Sequence, residues 1–152
     1  GAPPRKNNNM TVRLFCVDGT NLVRTAYGYG GPAHQAQEQA DAERLVAILA
    51  QVCEDADGAL ELELFFDGAF RLMPGRDTTG LRVRFTQEAT ADELILDRVR
   101  SRCWSGGGPA TVVTADAELG RLAQAEGGKW MRVAHGTPPE SVARKIGGRF
   151  SR

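Results

Sequence analysis

Residues 12–21, VRLFCVDGTN, decide the fold. The first six are almost continuously apolar, which is the pattern of a strand covered on both faces, as in a parallel sheet. The sudden change to Asp18-Gly19-Thr20-Asn21 reads as that strand opening into a loop. An acid therefore stands at the carboxyl end of a buried strand.

Outward from this run, strands and helices alternate. Further strands are expected over 60–66 (LELELFF), 81–86 (LRVRFT), 111–115 (TVVTA) and 129–134 (KWMRVA). The alternating glutamates of 60–66 suggest an exposed face or a sheet edge open to self-pairing. A loop over Tyr27 to Pro32 leads into a helix over 35–56, where Ala40, Leu45, Ile48, Leu49 and Val52 recur at helical spacing. Another helix is expected over about 91–103, and a short one opens at Asp116 and stops at Gly127-Gly128. Residues 135–152 read as a Pro/Gly-rich tail carrying Arg144, Lys145, Arg149 and Arg152. Residues 1–9 read as a flexible tail or expression remnant, and 10–152 as a single domain. The alternation implies an α/β fold, a mostly parallel five-stranded sheet with helices on both faces.

Composition narrows the function classes. With 41% hydrophobic and 25% charged residues the chain is ordinary for a globular protein. No stretch approaches the roughly 18 apolar residues of a membrane span, so no membrane partner is expected. The opening GAPPRKNNN lacks the apolar centre of a secretory signal. Three scattered cysteines, Cys16, Cys53 and Cys103, form no metal-type pair and suit a reducing cytoplasm. Formal net charge is zero, yet only three of the 19 cationic residues are lysine. Arginine's planar fork suits phosphate, although GC-rich coding produces the same bias.

Ligands of parallel sheets bind outside the carboxyl ends of the strands. Asp18, Asp67 and Asp116 end three strands, and Asp92 opens the helix after a fourth, so all four belong on one rim. Carboxylates gathered there repel and resist ionisation unless a cation neutralises them. A hard divalent ion such as Mg²⁺ or Mn²⁺ takes oxygen ligands, keeps several waters and activates one of them. Asp18, Asp92 and Asp116 are the candidate metal ligands, with Asn21 a further oxygen ligand or a water positioner. Simpler readings stand beside these. Asp18-Gly19-Thr20 also fits a strand-end turn, Asp116 a helix N-cap, and Asp67-Gly68 a hairpin-like turn. Thr90 and Glu93 have the spacing of a capping box, and Asp92 also suits the helix dipole. His34 and His135 read as surface residues.

Four segments, VDGTNLV (17–23), FFDGAFR (65–71), FTQEATADELI (85–95) and VVTAD (112–116), resemble in order and spacing the NYN domain of the PIN-like ribonuclease superfamily, in its YacP-like branch. The resemblance covers about residues 12–134. It implies a three-layer, Rossmann-like sheet ordered 3-2-1-4-5 and cytoplasmic endoribonuclease activity, in some members linked to translation. By position it makes Asp18, Asn21, Asp92 and Asp116 catalytic, and adds Glu93, acidic in some relatives, to the metal ligands. The sequence departs from the pattern at Thr20, where the branch commonly has a bulkier aromatic. It departs again at Gly120, where some PIN-like enzymes place an acid one turn beyond the fourth-strand aspartate.

The expected reaction is metal-dependent cleavage of single-stranded RNA by metal-activated water, leaving 5′-phosphate and 3′-hydroxyl ends as the resemblance implies. The partner is single-stranded RNA, including mRNA on the ribosome. Arg24, Arg71 and Arg76 are candidates to clamp phosphates, or are simply solvated. Tyr27 and Tyr29 are candidates to stack unpaired bases. The alternative is a non-catalytic RNA- or ribosome-binding module on the same fold. A haloacid dehalogenase type phosphatase also shows Asp-Gly-Thr, but its nucleophile position is here Cys16. Oligomeric state is left open.

Overall fold

The computed structural model describes residues 12–28 and 34–148. The expectations for residues 1–9, Tyr29, Arg149 and Arg152 fall outside these. In chain order the elements are β1 (Arg13–Asp18), α1 (Gly19–Tyr27), α2 (Gln35–Ala56), β2 (Leu60–Phe66), β3 (Leu81–Phe85), α3 (Ala91–Ser105), β4 (Thr111–Thr114), α4 (Ala117–Ala125), β5 (Lys129–Arg132) and α5 (Pro139–Gly147). The five strands form one sheet in the order β3-β2-β1-β4-β5, parallel at every pairing. The chain moves outward from β1 to β3, then returns to lay β4 on the other side of β1. The order reverses between β1 and β4, at the carboxyl ends where Asp18 and Asp116 stand.

Strand alternation divides the core in two. Phe15 and Val17 of β1 join Leu22, Leu45, Leu49 and Ile146 on the face covered by α1, α2 and α5. Leu14 and Cys16 join Ile95, Val99, Leu119 and Ala123 on the face covered by α3 and α4. Period-two alternation then puts Asp18 on the α3/α4 side. No helix among the described residues is long and apolar enough to cross a membrane.

Four expectations are corrected. β1 runs through Asp18 directly into α1, with no intervening loop. This is possible because Gly19 packs against the Phe66 ring, where a Cβ would lie 2.6 Å from Cε1. β2 is not an edge strand, for it pairs on both sides, and the edges are β3 and β5. Its Glu63 is 5% exposed and held by Arg98 at 2.8 Å and Arg84 at 3.4 Å. A glutamate that reads as solvent-facing is instead a buried charge with two partners, the condition under which a strand tolerates one. The Asp67-Gly68 pair is no hairpin turn, since β2 and β3 are parallel. The supposed tail contains α5, which buries Val142 and Ile146, one turn apart, on the α1/α2 face. Nine residues with one apolar pair, between Pro138 and Gly148, give too little periodicity to stand out.

Gly120 lies in α4 against the Trp130 indole. A Cβ there would sit 2.1 Å from ring atom Cδ2, and the indole Nε1–H donates to the Thr114 carbonyl at 3.2 Å. The space an acidic side chain would need at this position is filled by a ring. Alanine in a helix interior ordinarily gains about 0.5–1 kcal/mol over glycine. Here Gly120→Ala is expected to lose about 1–3 kcal/mol in urea unfolding, with the loss disappearing when Trp130→Ala is added. An alanine variant as stable as its parent would contradict this packing.

Candidate active site

A cavity of about 510 Å³ opens over the carboxyl ends of β1, β2 and β4. Its lining includes Asp18, Asp67, Asp92 and Asp116 together with Asn21 and Arg24. The four acids expected on one rim therefore do share one space. Each arrives on a different element: the last residue of β1, the residue after β2, the first turn of α3 and the N-cap of α4.

Asp18 is 4% exposed, and its Oδ2 accepts from the Thr114 hydroxyl at 2.8 Å. Burial raises its pKa to about 7, opposed by the Thr114 hydrogen bond and aided by Asp92, Asp67 and Asp116. Asp92 is also pushed up, first by burial and then by Asp116, Glu118 and Asp67. These carboxylates feel one another. Asp116 caps α4, its Oδ1 accepting from the amides of Glu118 at 2.9 Å and Leu119 at 3.2 Å. Both its simple and its functional reading can hold, because Oδ2 is left over from the cap.

Thr114, which the sequence reading passed over, organises the centre. Besides reaching Asp18, its Oγ1 lies 3.2 Å from Asn21 Oδ1 and accepts from the Asp116 amide at 3.1 Å. Asn21 Oδ1 also accepts from the Ala115 amide at 3.0 Å. That fixes the orientation of the Asn21 amide and occupies its oxygen, leaving its N–H₂ as the group to offer a ligand. Asn21 is thus suited to position water or phosphate rather than to supply a second oxygen. Thr20 carries a similar task, its Oγ1 accepting from the Asp67 amide at 2.9 Å. This hydroxyl accounts for threonine at the position and draws Asp67 toward Asp18. A threonine ending a strand two residues before an acid was the available signal for Thr114.

Other candidates fall elsewhere. Glu93 turns back onto the Thr90 amide at 3.2 Å, completing the capping box, and is not in the cavity lining. Arg24 lines the cavity while its Nε donates to Glu38 at 2.8 Å. Arg71 donates to Gln39 and to the carbonyls of Asp67 and Ala69, and its guanidinium lies over the Phe85 ring. It braces the loop after β2 beside the cavity. Arg76 lies over Phe70, and the Tyr27 hydroxyl accepts from Arg44 at 3.1 Å; neither lines the acidic cavity. His135 is exposed, as expected, yet lines a hollow shared with Asn21 and Asp116. The Cys16 thiol is buried and pushed up to about 12 by that burial and by Glu63, an inert group rather than a nucleophile.

Among the described residues, no group of three or more His, Cys, Asp or Glu side chains stands close enough to hold a metal ion. The donor set is nevertheless all-oxygen, and the neighbouring acids help to push Asp18 and Asp92 up. A cation that keeps several of its own waters fits such a cavity, whereas one bound by direct contact with three carboxylates does not fit this arrangement.

No protein-family model and no curated protein matches the chain. Among solved structures, the chain is similar to Rae1 (YacP) from Bacillus subtilis. The TM-score is 0.59 at 19% identity, covering 91% of this chain and 79% of that one. At that identity the likeness is one of fold, and it bears out the YacP-like architecture that the four segments resemble.

The buried Asp18 makes stability depend on pH. An unfolded aspartate ionises near 3.9, while the folded one holds its proton to about 7. Between those values the unfolded chain binds fewer protons, so stability falls as pH rises. With chelator present, Asp18→Asn is expected to match the parent near pH 4. Above about pH 7 it should be more stable, by at most about 4 kcal/mol. Thermal melts that show no gain at about pH 8 would contradict this burial of charge.

Proposed function

We propose that the protein is an endoribonuclease that cuts single-stranded RNA with the help of a divalent cation, Mg²⁺ or Mn²⁺. The observation that carries the reading is the meeting of Asp18, Asp92 and Asp116, from three elements, in one cavity at the point where strand order reverses. The YacP-like fold supports it, being the architecture that the sequence resemblance associates with endoribonucleases.

Asp18, Asp92 and Asp116 would hold the cation largely through its own waters, with Asp67 as a fourth anion. When bound, such an ion neutralises phosphate charge and acidifies a water for attack. The chain's own groups do the rest. Thr114 holds the Asp18 carboxylate in one orientation. Among the described residues nothing accepts from the Asn21 N–H₂, which can donate to a water or a phosphate oxygen. Arg24, at the cavity margin, offers its remaining N–H groups to the backbone of the strand. Ribosome-bound mRNA is a substrate of this class, and the cytoplasm the compartment that suits it.

A second reading has its own observation. Because no three acids among the described residues stand within joint metal-holding distance, the same fold could serve as a non-catalytic RNA- or ribosome-binding module. One assay separates the two. Purified protein with Mn²⁺ is expected to cleave an unstructured RNA, and chelator to stop it. Asp18→Asn and Asp116→Asn should abolish cleavage while remaining folded, the first because it removes a buried charge and the second because asparagine caps a helix as well as aspartate does. RNA binding without cleavage at any Mn²⁺ concentration would favour the module, and unchanged cleavage by both variants would sink this site.

Thr114→Val keeps size and removes the hydroxyl that orients Asp18. By analogy with outer partners of metal ligands, it is expected to lower cleavage about 10–100-fold and to raise the Mn²⁺ concentration needed for half-activity. A variant with parental metal dependence would show that Thr114 serves only the fold.

A further inference from the structure

A second cavity, of about 490 Å³, adjoins the acidic one and shares Thr20, Arg24 and Asp67 with it. Its floor is apolar, made of Phe66, Val23 and Ala42, and its walls carry Gln35, Glu38, Gln39 and Arg71. An apolar floor under a few convergent polar groups is the construction of a ligand pocket. The Phe66 ring also packs under Gly19, so the floor begins one residue from Asp18. Whatever occupies this cavity is joined to whatever lies over the acids.

Glu38 decides the kind of occupant. Its side chain is 18% exposed, and Arg24 Nε holds Oε2 at 2.8 Å. No hydrogen bond among the described residues occupies Oε1. Both arginines of the lining are already engaged, Arg24 by Glu38 and Arg71 by Gln39 and two backbone carbonyls, and the open Glu38 oxygen repels a phosphate, so the cavity favours a base over the backbone. It accepts N–H donors, and the Watson–Crick edge of every standard base offers at least one. Gln35, with no side-chain hydrogen bond among the described residues, offers both a donor and an acceptor beside it. Arg24, between the two cavities, is placed to meet the phosphate that links them.

We infer that this cavity is a nucleobase subsite, which takes an unpaired base of the strand crossing the acids and reads its Watson–Crick edge with Glu38 and Gln35. The inference rests on the proposal that an RNA strand lies over the acidic cavity. It deepens that proposal, because a pocket that engages the Watson–Crick edge cannot accept a paired base. Selection for single strands would then reside in α2 and not in the acids.

The test is binding, measured in chelator so that hydrolysis plays no part. A fluorescein-labelled single-stranded RNA of about ten nucleotides is titrated by anisotropy, alongside a series in which one base at a time is removed to leave an abasic sugar. One position is expected to lose about tenfold in affinity, the size of one base contact, and the others little. Ala42→Leu fills the floor from α2, and Glu38→Ala removes the wall acceptor at a partly exposed position outside the core, so a folding failure of the first leaves the second. In either variant the position-specific loss should vanish, all abasic positions then giving the same affinity as the intact strand in that variant. Uniform sensitivity along the strand, or a penalty that survives in a folded variant, would overturn the subsite. Position-specific binding by a protein that never cleaves would instead leave the subsite standing and remove the reaction.

Discussion

The structure depends on one costly placement, a carboxylate buried at the centre of the carboxyl edge. Asp18 ends the central strand of the sheet, paired on both sides and covered on both faces. Its charge is disfavoured by lost hydration and by three neighbouring acids, and the Thr114 hydroxyl offsets this in part. A sheet with no use for charge there would gain by placing an apolar residue. The surrounding elements instead add to the burden: Asp67 is drawn in by Thr20, Asp92 comes with the start of α3, and Asp116 comes with the cap of α4.

The same placement explains what lies around it. Thr114 connects β1, α1 and the start of α4 through one hydroxyl. Asn21 locks onto the Ala115 amide, and so the turn between β4 and α4 is tied to the first turn of α1. Trp130 then fills the space beside Gly120 and bonds to the Thr114 carbonyl. What reads as a missing acid in the sequence is thus part of the packing that supports the acids present. The site is sparse on that side because an indole is there.

Much of this was legible in the sequence because the signals were local and strong. The apolar run of β1 with its terminal Asp18, the capping box at Thr90 and the aspartate opening α4 each depend on neighbours in the chain. What was not legible depends on partners far away. Glu63 looks solvent-facing until Arg84 and Arg98 are brought to it. Asp67-Gly68 looks like a hairpin until β3 returns parallel to β2. Thr114 and Thr20 carry their meaning in hydroxyls aimed at residues 96 and 47 positions away in the chain. Helix α5 was lost because its two apolar residues find their surface only once α2 is in place.

The proposed role of these acids, gathered from separate elements, is to hold a cation. Crystals soaked in Mn²⁺ and measured for anomalous scattering at the manganese edge address it directly. The account predicts an anomalous peak inside the cavity bounded by Asp18, Asp92 and Asp116, absent from crystals of Asp18→Asn. A cavity that stays empty at a Mn²⁺ concentration supporting RNA cleavage would contradict it.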